Sequence, residues 1–183
     1  MENKIELVVS RSKASYKFRA DESKPDSFEN NWKNNSIDGL ALIRENKIIF
    51  DCKCQSVANY CFGDMSPGDT VAHGDTIAPG KFTLRCFVEP RKFHGEIHAI
   101  CDTIDIDGQR INRKAMQTSA NGFQNGRWLL HDRYSFKLGR DTNCAWSAGC
   151  IIVSSADLEA FNKVLRKNGI KAGDEIRGII VEI

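Results

Sequence analysis

A single stretch of this chain carries a clear helical pattern. Leu158, Phe161, Val164 and Leu165 recur at the three- and four-residue spacing that lines one face of a helix. Ser154 or Ser155 can cap its start, and Asp157 in the first turn suits the positive end of the helix dipole. Lys163, Arg166 and Lys167 lie in the last turns, and Gly169 ends the run. Elsewhere the pattern is that of strands broken by turns. Residues 3–10 and 14–20 alternate, and 39–50 reads as a hairpin turning at Glu45-Asn46-Lys47. Residues 81–89 and 95–106 read as strands, and Trp128-Leu129-Leu130 is a short buried strand ending at His131. Residues 59–80 and 107–127 hold clustered Gly, Pro and Asn-Gly turn signals. The polar stretch 21–37, with Pro25 and Trp32, marks the best boundary. It separates an N-terminal segment 1–37, packed on the main domain, from a domain of residues 38–183.

The chemistry concentrates near the C-terminus. His131 opens the segment His131-Asp132-Arg133-Tyr134, and Ser147-Ala148-Gly149-Cys150-Ile151 follows. A cysteine on a small-residue turn that leads into the apolar run Cys150-Ile151-Ile152-Val153 is the expected setting of a nucleophile. A thiolate attacks carbonyl carbon well, and a nearby imidazole activates it. Gly149 lets the backbone turn tightly, and the amides around Gly149 and Cys150 are suited to an oxyanion. No histidine follows Cys150, so the cysteine-first order of papain-like hydrolases is excluded for it. The competing reading is a buried structural cysteine entering a strand.

Ser147-Ala148-Gly149-Cys150-Ile151 resembles the Ser-x-Gly-Cys-Ile core of the L,D-transpeptidase (YkuD-like) catalytic domain. As in that family, a histidine and a glycine-bearing loop (His131, Gly139) precede the cysteine. Asp75-Thr76-Ile77-Ala78-Pro79-Gly80-Lys81-Phe82 is similar to the family's Thr-Pro-x-Gly-x-Phe turn. Leu40–Phe50 resembles its opening hairpin and Gly173–Val181 its closing strand. The resemblance implies a mainly β fold, a β-sandwich with one substantial helix near residues 155–168. It implies a cysteine acyltransferase or carboxypeptidase acting on peptidoglycan stem tetrapeptides through a thioester, with no cofactor and no metal. Cys150 is then the nucleophile and His131 its base. Gly149 contributes to the oxyanion site, and Ser147 either orients His131, lines that site or is a turn residue. Trp146, Arg133 and Arg140 are the substrate-binding candidates. Three features depart from the family pattern. Asp132 stands where glycine usually follows the histidine, Ile152 stands where arginine usually follows Cys-Ile, and the loop between His131 and Cys150 is longer. Arg133 or Arg140 is the candidate to replace the missing charge.

Composition excludes little else. Charged residues make up 27% of the chain and net charge is +2, with basic and acidic residues interspersed, so nucleic-acid binding is not expected. No run has the length of a membrane-spanning helix, and the start Met1-Glu2-Asn3-Lys4 is not that of a signal peptide. The expected location is the cell envelope if a non-standard route delivers the protein, with an immunity or delivery partner possible, and the cytoplasm otherwise. The seven cysteines are expected to be mostly reduced. In an exported protein Cys52, Cys54 or Cys61 could pair with Cys86 or Cys101, and Cys144 lies close to Cys150 in sequence. His94, His98 and Cys101 raise a zinc site, but strand-like alternation argues against helical ligand spacing. Two other functions stay open: a catalytically degenerate cell-wall-binding module, and a cysteine-rich, metal-stabilised interaction domain.

Overall fold

The computed structural model describes residues 5–17, 32, 36–58, 76–88, 96–104, 106, 128–135, 138–141, 147 and 149–183. The fold is mainly β, built on one eight-stranded mixed sheet. Its strands are β1 (Ile5–Arg11), β2 (Asp38–Arg44), β3 (Lys47–Cys54), β4 (Gly80–Val88), β5 (Ile97–Cys101), β6 (Leu129–Asp132), β9 (Ile151–Val153) and β10 (Glu175–Glu182). Two short strands, β7 (Tyr134–Ser135) and β8 (Arg140–Asp141), form a separate ribbon. The sheet order is β3-β2-β1-β10-β4-β5-β6-β9. Only β1 with β10 and β6 with β9 pair parallel. Because β1 lies between β2 and β10, the N-terminal strand is part of the same sheet as residues 38–183.

The sheet curls until its two edges meet. Gln55, just past β3, donates to the Ile152 carbonyl at 2.9 Å, and Ile152 donates back to the Gln55 carbonyl at 2.9 Å. The helix α1 (Ser155–Lys167) explains the curl. Phe161 packs edge-on against Phe50 of β3 at 5.7 Å and His98 of β5 at 5.2 Å, although these strands are far apart in sheet order. One side chain reaches both only if the sheet wraps around it. Leu7, Leu40, Leu84, Ile100 and Ile151, all fully buried, belong to the same core.

Local chemistry fixes the helix ends. The Ser154 hydroxyl accepts the Asp157 amide at 3.0 Å, and Asp141 Oδ2 accepts the Ser155 amide at 3.1 Å. At the other end Gly169 takes φ 83°. Its amide reaches the Arg166 carbonyl at 3.0 Å, and the Ile170 amide reaches Leu165 at 3.1 Å, which closes a Schellman motif. The hairpin turn falls at Glu45 and Asn46, both with positive φ, as a two-residue loop between right-twisted strands favours. One expectation fails in the N-terminal segment. The alternation at 14–20 predicts a strand, but Lys13–Lys17 is a 3-10 turn. The reason lies in Arg11 and Asp38, which are buried together at the end of β1. Asp38 accepts the Ser12 amide at 2.8 Å and the Ser15 hydroxyl, which turns the chain back instead of extending it.

Candidate active site

β6 and β9 run parallel, with Leu130 opposite Ile151, His131 opposite Ile152 and Asp132 opposite Val153. Paired residues share a face, and faces alternate along each strand. The face of Leu130 and Asp132 looks toward α1. His98, in register with Leu130, touches Phe161 of the helix, and Asp132 lines a cleft of about 650 Å³ with Ser155, Leu158 and Asn162. His131 and Ile152 therefore share the opposite face. Cys150 immediately precedes β9, two residues ahead of Ile152. The spacing of β9 carried back to Cys150 gives a diagonal of about 8 Å between the backbone positions of His131 and Cys150. An imidazole and a thiol can bridge that diagonal.

The His131 ring is half-buried, and its Nδ1 lies 2.5 Å from the Asp132 carbonyl. A carbonyl only accepts, so Nδ1 carries the proton and Nε2 holds the lone pair in the neutral ring. Loss of hydration lowers the imidazole to about 4, against the opposing pull of the Asp132 carbonyl. At neutral pH His131 is an uncharged base.

Ser147 shapes the turn. Its hydroxyl donates to the Cys150 carbonyl at 2.6 Å and accepts the Gly149 amide at 3.1 Å. Gly149 has φ 133°, which a side chain would strain. The Gly149 amide, expected from the sequence to face an oxyanion, is thus engaged by Ser147. Both bonds lie within the turn itself.

The two arginines differ. Arg133 lies 3.5 Å from Asp141, and its guanidinium covers the Trp32 ring at 4.9 Å. Desolvation lowers its pKa, which Asp141 opposes. Arg140, on β8, is exposed. Trp146 lies outside the described residues, as do Cys61, His94 and Cys144.

Other cysteines are poor nucleophiles. Cys54, Cys86 and Cys101 are fully buried. Burial pushes the thiols of Cys52 and Cys86 up to about 12 and that of Cys54 well above its ordinary value. Cys52, Cys54 and Cys86 are thiols, so the pairing of Cys52 or Cys54 with Cys86 is not formed. Cys150 is half-buried and packs against the core from its edge. The zinc reading of His98 also meets an obstacle. Its Nδ1 accepts the Phe87 amide at 3.2 Å and its Nε2 meets Asn162 Oδ1 at 2.7 Å, so both ring nitrogens are engaged. Burial lowers this ring to about 4. Among the described residues no group of three or more His, Cys, Asp or Glu is arranged to hold a metal.

Sequence reasoning missed Gln55. It flanks Ile152 on the side opposite His131, and nothing local in the sequence announces a pairing between residues so distant along the chain. Among the described residues no helix is long and apolar enough to cross a membrane.

No family model and no solved structure matches the chain. It is 52% identical over 184 residues to an uncharacterized protein of Treponema pallidum (strain Nichols), a match that spans all of this chain and 82% of that protein. At that identity and coverage, the chain belongs to the same family as the Treponema pallidum protein.

Proposed function

We propose that the protein is an L,D-transpeptidase-like cysteine acyltransferase or carboxypeptidase acting on peptidoglycan stem tetrapeptides. The observation that supports this is the parallel pairing that sets His131 opposite Ile152, two residues past Cys150, with the His131 tautomer set by the Asp132 carbonyl. In this reading the curled sheet and α1 are a divergent form of that family's β-sandwich. His131 Nε2 takes the proton of the Cys150 thiol, and sulfur attacks the carbonyl carbon that precedes a terminal D-alanine. The carbonyl electron pair moves onto oxygen, held by backbone amides of the Ser147–Cys150 turn other than that of Gly149. As the pair returns, the C–N bond breaks and His131 delivers its proton to the leaving amine. An amine of a second stem, or water, then attacks the thioester and expels the thiolate. Ser147 fixes the turn, and no cofactor takes part. Arg133 is tied to Asp141 and Trp32, so exposed Arg140 is the better candidate to meet a substrate carboxylate. The substrate places the site of action in the cell envelope.

A second reading, a cell-wall-binding module without turnover, draws on Ile152. This side chain is buried where the family carries arginine. One experiment separates the two. Tetrapeptide muropeptides are incubated with the protein and with Cys150→Ala, and products are read by mass spectrometry. Loss of one alanine, or a new cross-linked dimer, that requires Cys150 supports acyl transfer. Unchanged muropeptides with no thioester on Cys150 reject it.

A further inference from the structure

Gln55 and His131 flank the strand that carries the proposed nucleophile. Gln55 exchanges both backbone hydrogen bonds with Ile152, at 2.9 Å each, and residues opposite one another in such a pair point to the same face. Ile152 shares that face with His131 on its other flank. Gln55, Ile152 and His131 thus form a row, with Cys150 two residues before Ile152, just ahead of β9. The chain after Gln55 runs antiparallel to β9, so Val57 lies toward Cys150. Gln55 Nε2 donates to the Val57 carbonyl at 3.3 Å, which turns the amide to the Cys150 side of the row. The side chain is 3% exposed, and its Oε1 is buried with no hydrogen-bond partner among the described residues. An unpaired buried amide oxygen is unfavourable, and folded proteins keep few of them.

We infer that Gln55 Oε1 is a substrate-binding acceptor that takes a peptide N–H of the acyl donor on the flank of Cys150 opposite His131. The inference rests on Cys150 being the nucleophile. His131 hands its proton to the departing amine, so the leaving group lies on the β6 side. The retained acyl part, with its peptide N–H groups, then lies on the β3 side. The Gln55 Nε2 donor is committed to Val57, so the site offers an acceptor. It selects an N–H donor and rejects a carboxylate at that position.

The test uses the full chain with Cys150→Ala, so that substrate binds without turnover. Affinity for a disaccharide tetrapeptide is measured by calorimetry with Gln55 intact, with Gln55→Met and with Gln55→Glu. Gln55→Met keeps the volume but removes the acceptor, and it should weaken binding about tenfold. Gln55→Glu keeps an acceptor oxygen but sets a carboxylate against the Val57 carbonyl, so it should weaken binding less than Gln55→Met without reaching the parent's affinity. Oε1 meets no partner among the described residues and Gln55→Met gives up only the 3.3 Å Nε2 bond to Val57, so the variant should hold the melting temperature within about 5 °C. Equal affinity of the Met variant and its parent overturns the inference, and so does a larger fall in melting temperature. Absence of any tetrapeptide binding to Cys150→Ala overturns it as well. The two proposals fail separately. If the Cys150-intact protein leaves muropeptides unchanged while Gln55→Met still weakens binding, acyl transfer and the acyl-donor role are lost, and Gln55 is left as a peptide-binding acceptor only. If turnover occurs and Gln55→Met binds normally, only the Gln55 site is lost.

Discussion

A Cβ placed on Gly178 would come within 2.2 Å of the Phe82 ring, which lies across the ladder at the paired position. The ring covers backbone that a side chain would otherwise occupy. Gly178→Ala must displace Phe82 from the core, and its cost is about 1–3 kcal/mol of overpacking, read as a lower urea midpoint at unchanged slope. The His131 prediction concerns protonation. Its ring is lowered to about 4, so the base is neutral above that pH and becomes protonated as pH falls through it. If Cys150 and His131 act as proposed, turnover keeps its base through pH 5–6, and an acid limb assignable to His131 lies near pH 4. A limb near pH 6.5 that vanishes in His131→Ala would show an unperturbed imidazole and contradict the lowered one. His131→Ala itself should lower kcat by about 10²–10⁴ while tetrapeptide binding to Cys150→Ala is retained.

Among the elements, α1 carries the clearest agreement between local sequence and tertiary structure. The apolar face read from spacing is the face that is buried, with Leu158, Phe161 and Leu165 in the core and Val164 at its edge. Of the two serines that could cap the helix, Ser154 does so. Ser154→Ala removes the bond to the Asp157 amide and should cost about 1 kcal/mol by denaturant titration. Ser155→Ala, which leaves that bond in place, should cost much less. β9 shows the opposite case. Its three residues, Ile151–Val153, are too few to hold a strand alone, and their sheet bonds come from β6 on one side and from Gln55 on the other. The turn that carries Cys150 is therefore positioned by its neighbours and not by its own propensity.

For the whole molecule, the helix is keyed into the curled sheet through His98. The ring is fully buried between Phe87 and Phe161, with both nitrogens bonded in its neutral form. Its folded pKa, about 4, lies below the ordinary 6.5. The unfolded chain therefore binds the proton more readily between these values, and stability falls as pH drops from about 6.5 to 4. The loss from this one ring is on the order of 3 kcal/mol, and His131 adds a loss of the same sign in the same window. Equilibrium unfolding at several pH values should show that slope, and His98→Gln, which does not titrate, should flatten it. The sequence by itself determined what depends on neighbours in the chain: the helix and its caps, the hairpin turn at Glu45-Asn46, the strand periodicities and the glycine-tight turn before Cys150. Those features are set by backbone sterics, local hydrogen bonds and the repeat of apolar residues. Tertiary structure alone decided the rest. Pairing of β6 with β9 set His131 beside Ile152, two residues past Cys150, closure at Ile152 set Gln55 on the other flank, and Asp38 turned the chain after β1. His98, read from sequence as a metal candidate, became a buried bolt. Each of these depends on contacts between residues far apart in sequence, where burial and pairing outweigh the local pattern.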